Sequence, residues 1–149
     1  MLAFSREMKI KEIKWSVAMS IGLAIFLPIA ESIRRFNQII ALEHIWDWAD
    51  DYVLALVLLI AALSVKYKLP YSVLILGGVF SLGLLVHLHS TYTQLIHYLN
   101  GDPDPGILAS GFVLIVKLIL LVYILIACDL LIKGALRLND NERGFDTSG

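Results

Sequence analysis

Four stretches of the chain are nearly free of charge, and their lengths set the architecture. Residues 15–30 run sixteen positions without Asp, Glu, Lys or Arg, between Arg6, Lys9, Lys11 and Lys14 on one side and Glu31, Arg34 and Arg35 on the other. A bilayer core about 30 Å thick needs about 20 apolar residues at 1.5 Å per residue, so this run predicts a membrane helix over about 15–33. A basic start before an apolar run also suits a cleaved signal peptide. Pro28, Ile29 and Ala30 lack the small residue expected three positions before a cleavage point, so the segment is read as a retained anchor.

The second run, 52–65, has fourteen uncharged positions between Asp51 and Lys66 and is short for a span. It reaches spanning length over about 48–67 if Asp47, Asp50 and Asp51 sit at headgroup level and Lys66 and Lys68 snorkel. Trp46, Trp48, Tyr52 and Tyr67 then form aromatic belts at the two ends. No charged residue lies between Lys68 and Asp102, which predicts a third helix over about 70–92 with Pro70 in its first turn. Beyond His89 the sequence turns polar through Ser90, Thr91, Thr93 and Gln94, where this helix is expected to emerge. Residues 100–106, with Pro103 and Pro105, read as a turn. The fourth run, 107–128, covers twenty-two positions interrupted by Lys117, and Asp129 with Lys133 extends it to about 133 at favourable i,i+4 spacing.

The expected fold class is therefore all-α: a polytopic membrane protein with four transmembrane helices in one domain, residues 1–138. Residues 139–149 read as a polar, flexible tail. Orientation follows from Lys and Arg: four at the amino terminus, two at Lys66 and Lys68 and three at Lys133, Arg137 and Arg143 give nine, against Arg34 and Arg35 opposite. The positive-inside rule then places both termini in the cytoplasm. The expected location is a bacterial inner (plasma) membrane. Residues 36–48 interleave Phe36, Ile39, Ile40 and Ile45 with polar residues, as in a short interfacial helix that anchors the chain or docks a partner.

Composition agrees and removes whole classes of function. With 58% apolar and 17% charged residues and a mean hydropathy of +0.78, the chain has too much apolar surface for a water-soluble domain of its size. A net charge of −1 excludes a polybasic nucleic-acid binder. The single Cys128 permits neither an internal disulfide nor a paired-thiol metal motif. No phosphate loop, dinucleotide fingerprint, nucleophile elbow or zinc-protease helix occurs, so no cofactor, metal or catalytic residue is expected.

The candidate chemistry lies in polar residues that fall inside or beside the spans. Lys117 sits about nine residues, or roughly 13 Å, below the outer end of its helix, and a buried lysine marks either an ion pair or a transport step. Glu31, His87 and Lys117, with Asp50 or Asp51 above them, are placed to meet in the outer half of the bundle. At 100° per residue Thr91, Gln94 and Tyr98 fall on the face of His87, whereas His89 points away. Glu31 reads first as a local salt bridge to Arg34 and Arg35, and His87 as a hydrogen-bonded interhelical residue. Haem ligation would require His44 to dip inward, since no other span carries a histidine at the depth of His87.

For packing, Ala18 with Gly22 and Gly77 with Ser81 have the small-xxx-small spacing that lets helix backbones approach closely, first of all within one chain. Two functions are carried forward. One is a non-enzymatic subunit or assembly partner of a larger membrane complex, whose partners are the lipid bilayer and other membrane subunits or copies of itself. The other is a proton or small-ion pathway, in one chain or a homo-oligomer, through the titratable groups of the outer half. A membrane enzyme ranks third, because no nucleophile stands out.

Overall fold

The structure, a computed structural model, describes residues 11–42, 45–104 and 106–146, with side chains except at 46, 47 and 141–146. Arg6, Lys9, Glu43, His44, Pro105 and the tail residues 147–149 lie outside that set, as do the side chains of Trp46, Asp47 and Arg143. The described residues form helices joined by short turns, with no strand: α1 Lys11–Arg34, α2 Phe36–Ala41, α3 Trp46–Lys66, α4 Ser72–Asn100 and α5 Ser110–Asp146. Among them α1, α3, α4 and α5 are long and apolar enough to span a bilayer. The protein is an integral membrane protein built as an antiparallel bundle of four spans.

Short connections force consecutive spans to lie side by side and antiparallel. The contacts close a ring in which α1 packs on α3 and α5, and α4 packs on the same two. The start of α1 and the end of α5 share one end of the bundle, where Arg137 pairs with Glu12. Each span turns one stripe inward. On α1 it is Ile13, Ser16, Ser20, Leu23, Leu27, Glu31 and Arg34, a spacing of threes and fours that stays on one helical face. The rest of the apolar surface is exposed, as lipid-facing residues must be; Leu74 is 75% exposed and Leu85 66%.

Close approach uses small residues, some of them outside the pairs singled out by spacing. Ser16 and Ser20, both fully buried, donate to the Ala127 carbonyl at 3.0 Å and the Leu58 carbonyl at 3.2 Å, tying α1 to α5 and α3. Ala18 lies two residues away, about 200° around the helix, and is exposed. Gly22 faces the Tyr123 hydroxyl, Gly77 faces Leu131, and Ser81 is exposed, donating to the Gly77 carbonyl at 2.9 Å. Gly22 thus sits at the close approach of α1 and α5, whereas Ala18 and Ser81 face outward.

Helix ends depart from the sequence reading for local reasons. Pro70 precedes α4 rather than opening it: Lys68 and Tyr71 both take left-handed backbone, each with φ 58°, so the chain turns twice before Ser72. At its other end α4 runs on to Asn100, because its polar residues find partners inside the protein. Thr91 donates to the His87 carbonyl at 2.7 Å, and Gln94 to the Ser110 hydroxyl at 2.9 Å. Gly101, with φ 76°, closes it; the Asp102 N–H bonds the His97 carbonyl at 2.9 Å and the Gly101 N–H bonds Tyr98 at 3.2 Å, the pairing that left-handed glycine allows. Helix α5 begins at Ser110, not 107, and continues to Asp146 through the region expected to be a flexible tail. Polarity alone does not break a helix, and residues 135–143 contain neither Gly nor Pro.

Candidate functional site

Charge at the end of the bundle opposite Glu12 and Arg137 condenses on the last turn of α1. Arg34 Nη1 donates to Glu31 Oε2 at 3.3 Å, while its Nε and Nη2 donate to Asp104 Oδ1 and Oδ2 at 3.1 and 2.9 Å. Arg35 Nε stands 2.6 Å from Glu31 Oε1, and its Nη1 donates to Gln38 at 2.9 Å. Two cations and two anions thus neutralise one another where the Asp104 side chain has no exposed surface and that of Glu31 only 5%. Such mutual pairing is what makes buried charge tolerable.

The loop before α5 is fastened to this cluster. Asp104 Oδ1 accepts the Gly106 N–H at 2.8 Å, and the Ile107 N–H donates to the Arg34 carbonyl at 2.9 Å. A Cβ on Gly106 would lie 2.8 Å from Arg34 Cγ, so only glycine lets the loop come this close. Burial pushes the Asp104 carboxyl up. The Arg34 hydrogen bonds, the Gly106 N–H and the Arg34 charge outweigh it and hold the group below the usual carboxylate range.

Beneath the cluster lies a cavity of about 520 Å³, lined by Glu31, Asp51, His87, Ser90 and Lys117 on one side and by apolar residues of α1 and α5 on the other. Four of the six sequence candidates, Glu31, Asp51, His87 and Lys117, therefore meet at one space. Their partners differ from expectation. Lys117 makes no ion pair with Glu31, whose carboxylate is taken by the two arginines; its Nζ donates to the Ser90 hydroxyl at 2.5 Å and to the Ser90 carbonyl at 3.3 Å. His87 is 4% exposed, yet neither ring nitrogen has a hydrogen-bond partner among the described residues, so it is not the hydrogen-bonded interhelical residue expected.

Asp50 and Gln94 lie elsewhere. Both line a second, more polar recess with Arg34, Arg35, His97 and Lys117, and the Asp50 carboxylate accepts the Asp51 N–H at 2.8 Å. Arg34, Ser90 and Lys117 border both spaces and form the partition between them. Tyr98, assigned to the His87 face, is half exposed, and His89, also exposed, borders the second recess and not the cavity of His87. No three His, Cys, Asp or Glu side chains among the described residues stand close enough to hold a metal.

The Arg34–Asp104 bridge escaped sequence reading because seventy residues separate its partners. A signal was present: Asp104 in a Pro-flanked turn at the same membrane level as two otherwise isolated arginines. Comparison with protein families, curated proteins and solved structures finds no match to this chain.

Proposed function

We propose that the protein is a non-enzymatic integral membrane protein that serves as a subunit or assembly partner of a larger membrane complex. The observation that carries this reading is a close-approach face on α4 left unused by the chain's own packing. Leu74, Gly78, Ser81 and Leu85 lie along one side of that helix and are exposed, and a Cβ on Gly78 would meet nothing within 4 Å. Small residues flanked by leucine let a second transmembrane helix pack at short range. The excess of Lys and Arg beside the start of α1 and the end of α5 puts that end of the bundle in the cytoplasm, and a bacterial inner membrane is the proposed setting.

Native mass measurement in mild detergent tests the assignment. The wild type should run as a complex with a second chain, and Gly78→Leu should release it while leaving the melting temperature of the bundle unchanged. A wild type that runs alone, or a complex indifferent to Gly78→Leu, overturns it.

A proton or small-ion pathway is the second reading, favoured by the convergence of Glu31, Asp51, His87 and Lys117 on one cavity. Against it stands the other half of the bundle. From Leu27 down to Ile13, about 21 Å at 1.5 Å per residue, the buried polar residues of the core are serines, among them Ser16, Ser20, Ser64 and Ser72, and none is ionisable. Wild-type protein in vesicles should therefore show no proton flux above empty vesicles. Flux that Lys117→Met abolishes would reverse the preference.

A further inference from the structure

We propose that the cavity between α1 and α5 is a binding site for an uncharged amphipathic lipid: His87 and Lys117 hold its oxygen-bearing head, and its tail leaves between the two helices into the bilayer. The walls give the direction. Phe26, Ile29 and Ile33 of α1 and Phe112 of α5 line the cavity and are also exposed on the outside of the bundle. The opening between them therefore faces hydrocarbon. A space of about 520 Å³ is within the range of small-molecule sites. It admits a head and the first part of a tail, and the lateral opening accommodates the rest.

The floor gives the chemistry. Buried polar atoms are nearly always hydrogen-bonded, because leaving one unsatisfied costs its desolvation. His87 presents two such atoms at the cavity, and no described residue satisfies either. A neutral imidazole offers one donor and one acceptor. Lys117 spends two hydrogen bonds on Ser90 and, as an ammonium, has a third proton to give. The complementary head therefore carries a carbonyl or hydroxyl oxygen to accept from Lys117, and a second oxygen for His87.

Charge selects against an ionic head. The lining residues Glu31 and Arg34 are neutralised by each other, by Arg35 and by Asp104, and the other two acidic or basic lining residues, Asp51 and Lys117, are of opposite sign. An anionic head would meet the Asp51 carboxylate and a cationic one the Lys117 ammonium. Two kinds of lipid share the required chemistry, a quinone with its ring carbonyls and a diacylglycerol with its hydroxyl and ester oxygens.

The test uses purified full-length protein in detergent. Decylubiquinone, dioleoylglycerol, dioleoylphosphatidylglycerol and hexadecane are titrated separately, and binding is read by native mass measurement and by the shift in melting temperature. Saturable one-to-one binding of decylubiquinone, of dioleoylglycerol or of both supports the site and identifies the source of the head. His87→Leu should weaken that binding about tenfold, the worth of one hydrogen bond, without lowering the melting temperature of the free protein. Ile33→Trp, which narrows the opening and leaves the floor intact, should weaken it as well. No saturable binding by either neutral lipid, equal binding of hexadecane, preference for the phosphatidylglycerol, or His87→Leu binding as wild type overturns the proposal. The site is independent of the partner face on α4, so Gly78→Leu should leave lipid binding unchanged.

Discussion

Replacing Asp104 by Asn keeps the size of the side chain and removes its charge, which isolates what the Arg34–Asp104 bridge contributes. In the wild type Arg34 and Arg35 share Glu31 and Asp104, and both oxygens of Asp104 are engaged by Arg34 at 3.1 and 2.9 Å. In Asp104→Asn two buried guanidinium groups face one carboxylate. Removing one partner of a buried pair costs about 3–5 kcal/mol, because the other charge stays desolvated. The Asp104 side chain has no exposed surface and that of Arg34 only 11%, but the cluster lies at the end of the bundle, so about 3 kcal/mol is expected. Unfolding in mixed micelles of mild detergent and dodecyl sulfate reads this directly. The double variant Arg34→Met/Asp104→Leu removes one cation with one anion and leaves Glu31 paired with Arg35. It should lose less than the sum of the two single variants, revealing a coupling of about 1–3 kcal/mol. An Asp104→Asn variant within about 0.5 kcal/mol of wild type, the ordinary range for exposed sites, would refute the reasoning.

The same carboxylate sets a pH dependence. Its pKa is depressed in the folded protein, so its contribution is present above the unfolded carboxylate value of about 3.9 and is lost as pH falls through the lower folded value. The stability difference between wild type and Asp104→Asn should shrink only below about pH 4 in a series of unfolding curves. Gly106→Ala should destabilise by about 1–3 kcal/mol in the same assay, the usual cost of forcing atoms into a packed place, since the added Cβ falls within 2.9 Å of Asp104 Oδ1. At the other end of the bundle, Glu12→Gln should change stability by less than about 1 kcal/mol, because its partner Arg137 is 64% exposed; a larger loss in mixed micelles would show that pair to matter more than its exposure allows.

The spans were legible because hydropathy and charge spacing act within one helix, and the bilayer demands about 20 apolar residues whatever the neighbours are. The stripe of α4 was legible for the same reason: one histidine and a period of 3.6 put Thr91 and Gln94 with His87. What depended on a second helix was not. Ser16 and Ser20 have the spacing noticed at Ala18 and Gly22, and only contact with Ala127 and Leu58 distinguishes the packed face from the exposed one. The ends of α4 and α5 do not follow polarity, because Gln94 turns inward to Ser110 and α5 carries its polar residues as a helix.

The rule that ionisable groups inside a membrane mark function divides in this protein into two cases with opposite energetics. Glu31, Arg34, Arg35 and Asp104 neutralise one another as ion pairs, so removing any one leaves a buried charge exposed to its own desolvation; they read as structure. His87 leaves both nitrogens without a partner, so replacing it with an apolar residue removes a cost instead of creating one. Its place at the floor of the cavity is therefore unfavourable for folding, and the proposed lipid head would supply the missing partners. The two variants therefore separate the cases by sign. Asp104→Asn should lower the unfolding free energy by about 3 kcal/mol, whereas His87→Leu should hold or raise it by up to about 1 kcal/mol. A His87→Leu variant destabilised as strongly as Asp104→Asn would show His87 to be part of the packing after all, and would move the cavity from the functional column to the structural one.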